Sequence, residues 1–67
     1  MDPNATWQAL SQAVADADWG KAGELADGLL HWLSRDGFPP NISGLPLFDK
    51  IVAKATCEAI AAWEVAV

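Results

Sequence analysis

Tyrosine is absent from this chain, cysteine and histidine occur once each, and only four residues carry a positive charge. Each shortage excludes something. Cys57 has no partner for an intrachain disulfide, and a lone thiol fits a reducing compartment. His31 is the only imidazole, so a structural zinc site, which wants four ligands and usually thiolates, is not expected. The cations Lys21, Arg35, Lys50 and Lys54 are scattered along a chain of net charge −5. Four such residues neutralise few phosphates and adsorb poorly to anionic headgroups. Long apolar runs are missing too. The stretch from Ile51 to Val67 is interrupted by Lys54, Glu58 and Glu64 and is too short and charged to span a bilayer. The opening Met1-Asp2-Pro3-Asn4 is acidic, with no apolar segment behind it, so no secretion signal is expected. The sequon Asn41-Ile42-Ser43 is then coincidental. Together these absences predict a cytoplasmic protein with no cofactor, no metal and no catalytic residue, contacting neither nucleic acid nor membrane.

Apolar surface, by contrast, is plentiful. Hydrophobic residues make up 52% of 67 residues, and four are tryptophan. A chain this short forms one domain and buries only about 60% of its unfolded surface. Ordering it costs on the order of 100 kcal/mol, which nearly cancels the apolar gain. Without disulfide or metal, the remaining sources of stability are close helix packing and self-association. Indole rings serve either, as core or as interface anchors.

The spacing predicts three helices, over about 3–15, 19–35 and 46–66, in a single all-α domain covering residues 1–67. The first opens with Asp2 as N-cap and Pro3 in the first turn, and carries Trp7, Leu10, Val14 and Ala17 at helical spacing, with Ala13 beside them. Asp16-Ala17-Asp18 is the hinge, and Asp18 caps the second helix. There Trp19, Ala22, Ala26, Leu29, Leu30 and Leu33 share one stripe flanked by Leu25 and Trp32, with Gly23 near its edge for close approach of a neighbour. Arg35-Asp36-Gly37 ends it, Gly37 being the expected left-handed cap. Phe38 to Leu47, broken by Pro39, Pro40, Gly44 and Pro46, forms the connection. Its Phe38, Ile42, Leu45 and Leu47 are expected to lie across the core, and Ser43 to cap the third helix.

That third helix presents Phe48, Ile51, Val52, Ala55, Ala59, Ala62 and Trp63 as its core face. Ile60, Ala53 and Cys57 widen the apolar arc toward roughly 200°, where a stripe of about 100° or somewhat more suffices for a three-helix monomer. Two readings of the excess stand side by side: a second packing surface, or alanines that inflate the count.

Trp7-x-x-Leu10, Val14, Ala22 and Ala26 resemble the helical hairpin of a tetratricopeptide repeat over about half the chain. One repeat cannot bury its own faces, and any short antiparallel hairpin gives similar spacing. The opening Met1-Asp2-Pro3-Asn4-Ala5-Thr6 and the stretch Trp32-Leu33-Ser34-Arg35-Asp36-Gly37-Phe38-Pro39-Pro40 resemble the corresponding segments of small helical proteins from actinobacteria and their phages. That resemblance implies a small cytoplasmic protein and assigns no residue a role.

The remaining motifs read as structure. Asp27 and His31 have ligand spacing but also belong to a charge row with Arg35. Cys57 has no histidine on its helix, and the nearby Glu58 and Glu64 raise a thiol's pKa. The expectation is therefore an antiparallel hairpin with a third helix packed across it, acting as a non-catalytic protein–protein interaction module. Its partner is another copy, in a homo-oligomer, or a larger assembly. The candidate contact residues are Trp32, Phe38, Pro40, Ile60 and Trp63, each equally suited to the core. The alternative is a small acidic inhibitor, phage-encoded in origin, that sets Glu24, Asp27, Asp36, Asp49 and Glu58 against a basic host surface.

Overall fold

The computed structural model of the chain describes the backbone of residues 1–66 and the side chains of residues 1–63. It forms three helices: α1 (Pro3–Ala15), α2 (Trp19–Ser34) and α3 (Pro46–Ala66). α2 is the centre, with α1 and α3 each packed against it. At about 1.5 Å per residue the 21 residues of α3 span roughly 31 Å. That length sets the long dimension of a molecule measuring 32 × 19 × 19 Å. No helix among the described residues is long and apolar enough to cross a membrane.

The helix starts agree with the sequence. The Asp2 carboxylate accepts the N–H groups of Asn4 and Ala5 at 3.0 and 3.3 Å, with Pro3 in the first turn. Asp18 accepts the Lys21 N–H at 3.3 Å. The ends of α1 and α2 share one design that composition hides. The residue after each C-cap turns left-handed, and the two amides beyond the C-cap return to the last turn. At α1, Ala17 (φ 55°) donates to the Val14 carbonyl and Asp18 to that of Ala13. At α2, Asp36 (φ 61°) donates to Leu33 and Gly37 to Trp32. The left-handed cap of α2 is thus Asp36, one residue before the expected Gly37. Likewise Ala17 forms the turn and does not extend the apolar stripe of α1.

A left-handed alanine costs about 1–2 kcal/mol, whereas aspartate tolerates the region better. Ala17→Gly is therefore expected to stabilise the chain by about 1 kcal/mol, net of the entropy glycine adds to the unfolded state. Asp36→Gly should gain less, and thermal unfolding of the two variants side by side checks the order.

The core is built from small side chains. Leu10, Ala13, Ala22, Ala26, Leu29, Leu33, Ala53 and Cys57 are buried, and Trp7, Trp19, Leu25, Leu30, Trp32 and Ile60 pack around them. Gly23 is buried with them. On α2 the buried Ala22, Ala26, Leu29 and Leu33 belong to the expected stripe, whose Trp19 and Leu30 are half-buried. On α3 the expected core face is not the buried one. The inward row is Asp49, Ala53 and Cys57, while Phe48 and Ile51, expected in the core, are 53% and 66% exposed. Ala55, Ala59, Ala62 and Trp63 are also exposed, and Val52 is half-buried.

The cause lies in the connection. The buried Asp49 carboxylate accepts the backbone N–H groups of Ile42, Ser43 and Gly44 at 3.1, 2.9 and 3.2 Å, and the Ser43 hydroxyl at 2.6 Å. Once Asp49 turns inward to hold this loop, the residues four and eight positions on face α2. Ile51, Ala55 and Ala62 are then carried to the opposite side. Ser43 folds the loop, receiving the Leu45 N–H at 3.2 Å, and does not cap α3. The connection covers the core with Pro40, which is buried, while Phe38, Ile42, Leu45 and Leu47 are exposed. Asn41 ties it to the start of α1 by donating its N–H to the Asn4 side chain at 2.6 Å.

Candidate interaction surface

The five contact residues expected from sequence divide between opposite ends of α2. At its C-terminal end, Phe38 meets the half-buried Trp32 edge-on, with centroids 5.7 Å apart and planes at 83°. The Trp32 Nε1–H donates to the Phe38 carbonyl at 2.9 Å. Aromatic packing and a satisfied indole N–H together latch the connection onto the helix end. Gly37 makes the latch possible, because a Cβ there would collide with the Trp32 ring. Gly37→Ala is accordingly expected to cost about 1–3 kcal/mol, the usual penalty for forcing an atom into a packed site. The measurement is a denaturant midpoint, and an unchanged midpoint would show that the ring moves aside freely. Pro40 lies buried behind the latch and cannot touch a partner, which removes it from the contact set.

At the N-terminal end of α2, Trp63 stacks on Trp19 with centroids 5.2 Å apart and planes at 16°. Ile60 and Trp63 join Val14, Trp19, Thr56 and Ala59 around an open apolar groove of about 360 Å³. Trp32 and Trp19 are thirteen residues apart on one helix, a rise of about 20 Å, so the two pairs do not form one site.

A third apolar surface lies on residues that the sequence placed in the core. Leu45 and Leu47 are 65% and 82% exposed and, with Phe48 and Ile51, crowd the start of α3 on the side away from α2. Exposed Ala55, Ala59 and Ala62 continue this face toward the C-terminal end. Of the charged side chains described on α3, Lys54 and Glu58 border the face along one edge. The wide apolar arc was the available signal. Which half of the arc turned inward could not be read without knowing where Asp49 points.

The polar groups divide clearly. Asp49 is spent inside the protein. Burial by itself would raise its carboxyl pKa, but hydrogen bonds from the Ser43 side chain and from the amides of Ser43, Ile42 and Gly44 outweigh that and hold it below the usual value. The acidic surface considered for an inhibitor therefore loses Asp49 and keeps the exposed Glu24, Asp27, Asp36 and Glu58. Cys57 is buried, and burial together with the Glu58 charge pushes its thiol up to about 11. It stays protonated at neutral pH and acts as a packing residue. Among the described residues no three of His, Cys, Asp and Glu come together to hold a metal. A shallow cleft of about 350 Å³ between the end of α2 and α3 is lined by Asp36, Lys50 and Lys54, one acid with two cations.

Compared with known proteins, the chain matches no protein-family model, no curated protein and no solved structure.

Proposed function

We propose that this chain is a non-catalytic protein–protein interaction module that self-associates or serves as a small subunit of a larger assembly. The observation that carries the reading is the outward face of α3. Leu47, Phe48 and Ile51 are each more than half exposed on one side of one helix, with Leu45 beside them. A small domain gains by burying large apolar side chains wherever it can, and a contiguous exposed group of them marks an interaction surface. The small interior adds to this. Among the described residues, four of the eight in the buried apolar core are alanine, a thin core for a chain of 67 residues.

Light scattering across a dilution series, at low and high salt, tests the reading. Association through apolar surface is expected to hold or tighten as salt rises. A species that dissociates with salt would instead favour charge-driven contact through the acidic residues. A monomer at every concentration, with no complex recovered from a host lysate, would remove the proposal.

A further inference from the structure

We draw no further inference here: the strongest candidate, the exposed apolar face of α3 together with the open groove beside Trp19 and Trp63, carries nothing beyond the proposed function because nothing in the structure shows what covers it.

Discussion

Replacing Asp49 with alanine is expected to free the Ile42–Gly44 loop and to lower the melting temperature more than Ser43→Ala does. The carboxylate collects three backbone amides and one hydroxyl. Removing it leaves those donors without their acceptor, and also removes the group that orients α3. Ser43→Ala takes away one of the four donors, together with the acceptor of the Leu45 N–H. Asp49→Asn separates shape from charge. The amide keeps the volume but offers one acceptor oxygen where two are in use, and sets its own N–H₂ against donors. It should therefore behave more like alanine than like aspartate. Hydrogen exchange at Ile42, Ser43 and Gly44 gives the direct readout, with protection lost in both variants. Protection retained in Asp49→Ala would show that the loop holds itself.

The same group predicts an acid response. Its pKa is lower in the folded chain than the ordinary value of 3.8. A depressed folded pKa means that the unfolded chain binds the proton first, so stability falls as pH falls. The contribution is fully present above the ordinary value and is lost as pH drops through it toward the folded pKa. The stability difference between wild type and Asp49→Asn should accordingly shrink as pH falls from about 5 through the ordinary carboxylate range, as linkage requires. A difference independent of pH over that range would contradict the assignment.

Ile51→Glu is expected to abolish self-association while leaving the monomer folded. Ile51 is 66% exposed, so the substitution removes little from the core. Where this face is covered by another copy, the substitution would bury a carboxylate among apolar side chains. Uncompensated burial of charge weakens association by at least about 100-fold, roughly 3 kcal/mol. Sedimentation or light scattering should report a monomer at concentrations where the wild type self-associates, with unchanged helicity. Loss of helicity would mean that Ile51 supports the fold itself. An unchanged oligomer would place the contact away from α3.

Much of this architecture is legible in the residues. Asp2 and Asp18 cap the helices they were expected to cap, Pro3 sits in the first turn, and the Leu/Ala stripe of α2 is the stripe that is buried. These features depend on local chemistry: which side chains reach a free N–H, and which recur every three or four residues. The left-handed positions were less legible. At both turns the backbone path of a common capping motif prevails over residue preference, placing alanine and aspartate where glycine was the natural expectation.

The candidate surface was half legible. The excess apolar arc of the third helix left two readings open, a second packing surface or a count inflated by alanines. Hydrophobicity alone then selected the larger side chains, Phe48 and Ile51, for the interior. A contact between a loop and a helix reversed the choice. Asp49 reads as a surface charge until three amides of a proline-bounded turn are found to converge on it. Turning one carboxylate inward rotates the helix, so small Ala53 and Cys57 face α2 and the large residues face out. Pro40 and Trp32 show the same dependence. Both are apolar residues near a helix end, yet Pro40 is sealed by the connection that Asp49 and Gly37 shape.

Periodicity and capping chemistry thus determined the three helices and the buried stripe of α2, because both arise from interactions within a few residues. The rotation of α3, and with it the identity of the exposed face, was decided by contacts between separate segments. No local pattern records where a loop's unpaired amides will find their acceptor.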